Sequence, residues 1–147
     1  MTLKFNNEPI KSFRGRYWAF SSFYPRSIVY KDTLYKCLEY AYQAAKTDVE
    51  EEKLMIMSAE TAGIAKRLGR EVTIRPRWDE ERVPVMRDLV IIKFAYPDLM
   101  EILQSTHGQV LIEGNTWHDL FWGKCYCSRH NGEGQNMLGQ LLMELRG

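Results

Sequence analysis

Between residues 28 and 36 apolar and polar positions alternate around Lys31-Asp32-Thr33, a pattern that predicts a short β-hairpin. Near Leu38 the period lengthens to that of a helix. Further helices are predicted over Glu50–Ser58 and Thr61–Leu68, the second followed by Gly69 where a left-handed C-terminal cap is expected. A longer apolar helix is expected from about Glu81 to Tyr96, with Pro84 tolerable in its first turn or at a kink. Asp98–Thr106 follows Pro97 as another helix, and Gln109–Glu113 reads as a strand. The last element, Asn136–Arg146, places Leu138, Leu141, Leu142 and Leu145 at i, i+3, i+4 and i+7, a core-facing stripe with Asn136 as N-cap. Residues 13 to 30 keep no period; Phe13, Tyr17, Trp18, Phe20, Phe23, Tyr24 and Tyr30 are interrupted by Gly15 and Pro25, so a fixed aromatic loop is expected there. With no repeat, low-complexity tract or linker, the pattern implies one mainly α, multihelical domain over residues 1–147 with a small β-hairpin or minor β-structure.

Composition adds boundaries to this picture. The chain has 147 residues, 45% of them hydrophobic and 27% charged, which is ordinary for a globular domain. A net charge of +1 provides no global field for steering a polyanion, so any nucleic-acid partner must meet a local patch. Residues 1–9 lack the apolar core of a signal peptide, and no apolar run approaches the ~20 residues of a spanning helix. Cys37, Cys125 and Cys127 cannot all pair, and the tight Cys-x-Cys spacing suits reduced thiols. The expected location is therefore the cytoplasm, with no membrane association; the sequence is silent on oligomeric state.

Chemistry concentrates in four places. If residues 39–46 are helical, Glu39, Tyr42, Gln43 and Lys46 share one stripe while Ala41, Ala44 and Ala45 form the other side. Pattern alone leaves two readings open, a solvated face and the lining of a polar pocket. The second place is Arg75-Pro76-Arg77-Trp78-Asp79, where Asp79 can cap the long helix and Trp78 can stack on a planar base or plug the core. The third, Asn115-Thr116-Trp117-His118-Asp119-Leu120-Phe121-Trp122-Gly123, sets the carboxylate of Asp119 among large rings; the alternative to a catalytic role is a structural Asp bonded to backbone amides. The fourth, Cys125-Tyr126-Cys127-Ser128-Arg129-His130, offers thiolates and an imidazole to zinc. Its spacing departs from the usual C-x₂₋₄-C pairs, and a fourth ligand would have to come from Cys37, His118 or His107. P-loop, GxGxxG, GxSxG and HExxH patterns are absent, which argues against kinases, Rossmann dehydrogenases, α/β-hydrolases and zincin proteases.

In order, the chain reads Phe13-Arg14-Gly15-x-Tyr17, Phe20-Ser21-Ser22-Phe23-Tyr24-Pro25, Glu39-x-Ala41-Tyr42-Gln43-Ala44-x-Lys46, Ala65-x-x-Leu68-Gly69-Arg70, Arg77-Trp78-Asp79, Lys93-Phe94, Glu113-x-x-x-Trp117-His118-Asp119-x-x-Trp122-Gly123 and Gly134-Gln135-Asn136-x-Leu138-Gly139. This ordered set resembles the YbiA-like, or NADAR, family from about residue 13 to the C-terminus. The resemblance implies a mainly helical N-glycosidase that cleaves the bond between a phosphorylated ribose, as phosphoribose or ADP-ribose, and a nitrogenous base. Its substrates would be ribosylaminopyrimidine intermediates of riboflavin synthesis or ADP-ribosylated guanine in nucleic acid. It further implies that Glu39, Trp78 and Asp119 lie in the active site, with Ser21, Ser22 and Phe23 on a loop beside it. The family often has Asn at the position of Ser22, His at that of Tyr40 and an acidic residue at that of Arg16, differences that bear on substrate choice more than on reaction type.

Breaking a ribosyl C–N bond builds positive charge on the sugar, which calls for an anion and a proton donor or positioned water. The expected catalytic pair is Glu39 as acid/base and Asp119 as the carboxylate beside the sugar, with exchanged roles open. Substrate contacts are expected from Ser21, Ser22, Phe23, Tyr42, Gln43, Lys46, Arg70, Trp78, Asp79, Trp122, Gly123 and Asn136. Lys46 and Arg70 are the phosphate candidates. The scheme requires no cofactor and no metal. The alternative is a non-catalytic module that binds ADP-ribose or a nucleotide in the same pocket.

Overall fold

The computed structural model describes residues 7–147; residues 1–6 of the signal-peptide reading lie outside the described residues. The described chain is mainly helical with two small strand pairs, as expected. Backbone packing divides it into two compact units, one comprising Ser22–Tyr96 and the other the chain up to Ser21 together with Pro97–Gly147.

In the Ser22–Tyr96 unit, β1 (Ile28–Tyr30) pairs antiparallel with β2 (Thr33–Tyr35), Val29 opposite Leu34. Lys31 and Asp32 carry the turn at φ 49° and 64°, the left-handed pair that a two-residue hairpin connection requires. Ile28 and Tyr30 turn inward and Val29 outward, so the sequence alternation is the burial alternation. Three short helices follow: α1 (Leu38–Ala45), α2 (Glu50–Met57) and α3 (Ala62–Leu68). Ala41 and Ala44 are wholly buried, which lets the backbones of α2, α3 and the next helix approach α1. Thr61 caps α3 by accepting from the Ile64 N–H at 3.2 Å. Glu52 ties α2 to the chain beyond α3 by accepting twice from the Thr73 N–H, which holds its exposed carboxyl below the usual pKa.

The start of the long helix, the capping role of Asp79 and the conformation of Gly69 correct the expectations for this unit. The long helix, α4 (Trp78–Lys93), starts three residues early because Arg77 takes the left-handed conformation (φ 67°) at its N-cap. Asp79 consequently lies inside the first turn and is not the cap, where its charge still suits the helix dipole. Pro84 lies beyond the first turn, inside the helix. Gly69 does occupy the C-cap of α3, but at φ −61° in the right-handed region. Its glycine is required for space: a Cβ there would run into the carboxamide of Gln43.

In the other unit, a 3-10 helix (Gly15–Phe20) supplies regular structure to the aromatic segment, with Phe13 edge-on to Phe20 at 5.6 Å. It packs against α5 (Pro97–Gln104), whose Leu99 and Leu103 are wholly buried. The strand expected at Gln109–Glu113 reduces, among the described residues, to one parallel bridge between Leu111 and Ile10. The described pairing falls instead on β3 (Gly114–Asn115), parallel to β4 (Lys124–Cys125). The last helix, α6 (Met137–Arg146), buries Leu138, Leu141 and Leu142 against α5 as its spacing predicted, with Leu145 half-buried. No helix among the described residues is long and apolar enough to cross a membrane.

Candidate functional site

The N-terminal half of α1 carries the first group of expected site residues. The Glu39 N–H donates to the Ser22 carbonyl at 3.1 Å, so the residue opening α1 is tied to the loop that carries Ser22 and Phe23. Glu39 is 6% exposed and Gln43 3%, which removes the solvated-face reading of the stripe. One turn of helix brings the Gln43 Nε2 to the Glu39 Oε1 at 2.7 Å. The Gln43 Oε1 is buried with no hydrogen-bond partner among the described residues, facing Gly69. A carboxyl and a carboxamide thus lie side by side, shielded from bulk water.

Cations gather at the other end of the stripe. Lys46, just past α1, has its ammonium 5.6 Å from the centre of the Tyr42 ring. Burial pushes the Lys46 pKa down, Glu39 supports the charge, and the like charges of Arg70 and Lys66 oppose it. Lys66, which sequence reasoning missed, also lies over Phe23 at 5.8 Å. No local signal pairs it with Lys46, because twenty residues and a helix separate them.

The Tyr42 ring packs against Trp78 at 5.5 Å with a 50° tilt. Trp78 is itself 6% exposed, and the Arg75 guanidinium lies over its ring at 5.6 Å from the centre. The Arg75 N–H donates to the Lys46 carbonyl at 2.8 Å and its guanidinium pairs with Glu81, so the chain ahead of α4 is bonded to the end of α1. Lys93, fully buried near the end of α4, lies over Tyr24 at 5.7 Å, and burial brings its pKa down to about 7.

Asp119, in the other unit, occupies a different setting. Its Oδ1 accepts from the N–H groups of Phe121 (3.1 Å) and Trp122 (2.9 Å), the backbone bonding foreseen as the alternative to catalysis. Asn115 holds the same turn from the other side, accepting from the Asp119 N–H at 3.1 Å and donating to its carbonyl at 3.0 Å. Trp122 is half-buried, edge-on to Phe121 at 4.8 Å. Gly123 is buried where a Cβ would strike the Glu113 backbone and the Asn115 amide, so packing alone accounts for its glycine. Asn136 stands at the N-cap of α6 but makes no side-chain cap bond. It is 4% exposed, and its amide donates to the Leu111 carbonyl (2.9 Å) and accepts from the Glu113 N–H (3.0 Å). Asn136 is thereby spent on the loop it supports.

Beside Asp119, His118, Cys125, Cys127 and His130 bring their ligating atoms within 4.8 Å of one another. Partial burial raises the Cys127 thiol, and hydrogen bonds from the Cys125 side chain and the backbone of His130 and Arg129 outweigh it, leaving the pKa below its ordinary value. All three cysteines are free.

The multihelical arrangement is shared with a solved protein. The NMR structure of Escherichia coli YbiA matches with a TM-score of 0.80 and 28% identity, over 98% of this chain and 85% of that one. The NADAR domain matches residues 10–147, and the chain belongs to the NADAR family. It is 36% identical over 136 residues to the N-glycosidase Npun_R5314 of Nostoc punctiforme, with 88% of this chain and 84% of that protein covered. It is 33% identical over 133 residues to the N-glycosidase YbiA of Shigella flexneri, covering 88% of this chain and 80% of that protein. The maize chloroplastic riboflavin biosynthesis protein PYRR is 36% identical over 146 residues, but this chain spans only 23% of its length.

Proposed function

We propose that this chain is an N-glycosidase, a hydrolase that breaks the bond between a phosphorylated ribose and a nitrogenous base. The observation that carries the reading is the water-shielded Glu39 carboxyl, 2.7 Å from the Gln43 amide, on a stripe that ends in the Lys46 ammonium. Family membership with named N-glycosidases supports the reaction class.

In the proposed reaction the C1′–N bond breaks as a water oxygen bonds to C1′, and the base nitrogen takes up a proton. Glu39 moves that proton between water and leaving nitrogen, while Gln43 holds the carboxyl in one orientation. Lys46 and Arg70 bind the phosphate, and Tyr42, backed by Trp78, offers a ring face to the base. Asp119 is assigned to the positive charge or the hydroxyls of the sugar, and Ser22 and Phe23 to the substrate-facing loop. The riboflavin-biosynthesis names of relatives favour a ribosylaminopyrimidine phosphate over ADP-ribosylated guanine. Free thiols at all three cysteines fit a reducing compartment, assigned here as the cytoplasm.

Incubation of the purified protein with a ribosylaminopyrimidine phosphate and, separately, with ADP-ribosylated DNA tests this by mass spectrometry of the free base. Release from the first substrate at the higher kcat/KM is expected. Binding of both substrates without release from either would make the chain a nucleotide-binding module.

A further inference from the structure

We infer that His118, Cys125, Cys127 and His130 form a structural zinc site, held by two thiolates and two imidazole Nδ1 atoms. The site lies within one unit and owes nothing to the proposed reaction.

The distances carry the inference. A tetrahedral Zn²⁺ with Zn–S of about 2.3 Å and Zn–N of about 2.05 Å sets its ligands apart by roughly 3.3 Å for N···N and roughly 3.6 Å for S···N. Here the two Nδ1 atoms are 3.3 Å apart. The S···N separations are 3.2 Å from Cys127 to His130, 3.5 Å from Cys127 to His118 and 3.8 Å from Cys125 to His118. These four separations match edges of such a tetrahedron, and all four ligating atoms lie within 4.8 Å of one another.

Hydrogen bonding alone does not account for the same geometry. A neutral imidazole nitrogen has one lone pair or one N–H in the ring plane, enough for one good partner. The His118 Nδ1 instead faces three atoms at once, the Nδ1 of His130 and both sulfurs. One cation at the centre satisfies all four groups together. Two sulfurs and two nitrogens in tetrahedral array select zinc, and four protein ligands leave no position for water or substrate, which makes the site structural.

The backbone is built to hold this arrangement. Cys125 lies in β4 and bridges to Glu133, while the N–H groups of His130 and Asn131 donate to the Cys127 carbonyl and close a tight turn. His118 reaches in from the preceding loop at φ 70°, a conformation that costs a non-glycine residue energy. Ligation offsets that cost and clasps the 118–130 loop at its two ends. The residue after His118 is Asp119, so the ion fixes the turn on which that carboxylate is displayed.

The test is zinc stoichiometry of the purified full-length protein by mass spectrometry, together with cobalt substitution. About one zinc per chain is expected, and the Co²⁺ form should show the intense visible bands of four-coordinate cobalt with a thiolate charge-transfer band. Cys125→Ser/Cys127→Ser should lose the metal and both spectral features, whereas Cys37→Ser should keep them. Should the double variant fail to fold, chelator-stripped wild type titrated with Zn²⁺ against a chromophoric chelator gives the same answer, and should bind one equivalent with two thiols protected. Failure of the stripped protein to take up zinc, an octahedral cobalt spectrum, or equal zinc loss in Cys37→Ser would overturn the inference.

Discussion

Glu39 and Asp119 are both carboxylates expected at the site, yet the two regions hold them by opposite means. Glu39 is buried in a regular helix, and its carboxyl accepts from another side chain, the Gln43 amide one turn away. Asp119 sits half-buried in an irregular loop, its Oδ1 held by two backbone N–H groups. A carboxyl held by one side-chain amide in a dry setting suits proton transfer. One pinned by the backbone suits a fixed charge. Under the proposed function this difference favours acid/base work for Glu39 and charge placement for Asp119, and it contrasts a residue held by helix packing with one held by loop closure.

Asp119→Asn probes the contrast most severely after Glu39 itself. The amide keeps an oxygen for the Phe121 and Trp122 N–H groups, so the loop should survive while the charge is lost. Turnover should fall roughly 100-fold with substrate still bound, measured as kcat against KM. Unchanged turnover would make Asp119 a purely structural residue.

Lys93 tests the dryness of the Glu39 side. With a pKa lowered from 10.5 to about 7 in the folded chain, the unfolded state binds one more proton between those values, so stability should rise with pH across that window. The rise is ~1.4 kcal/mol per unit at most. Burial raises the neighbouring Cys37 thiol pKa and works in the opposite sense at higher pH. The comparison is therefore the slope from pH 7 to 8.5 in urea unfolding, steeper in wild type than in Lys93→Met.

Lys46→Met should raise KM about tenfold with kcat nearly kept, because a phosphate contact is made in ground and transition states alike. The smallest effect is expected from Thr61→Ala, which removes only the α3 cap bond and should cost about 1 kcal/mol by thermal unfolding without altering KM.

Much of this contrast was readable in advance on the helical side. The stripe of Glu39, Tyr42, Gln43 and Lys46 follows from helical period, and the hairpin from alternation about Lys31-Asp32. Local rules failed where a distant group decides the local geometry. Gly69 is glycine because of Gln43 and not because of a left-handed cap, and Asp79 lost the N-cap to Arg77, whose left-handed backbone has no sequence signature. The loop side was harder still: the sequence grouped Cys125, Cys127 and His130, but no period chose His118 over Cys37 or His107 as their fourth neighbour. Residues such as Lys66 and Arg75 join Lys46 and Trp78 only through tertiary packing. Asn136 was foreseen at a helix start, but its bonds to residues 111 and 113 were not.

The central claim is that Glu39 handles the proton at a ribosyl C–N bond, and Glu39→Gln tests it most directly. The variant keeps the shape and a partner for Gln43 but cannot exchange a proton. Single-turnover release of free base should fall by about 10²–10⁴-fold with the circular dichroism spectrum and substrate affinity unchanged. Wild-type turnover in this variant would contradict the account.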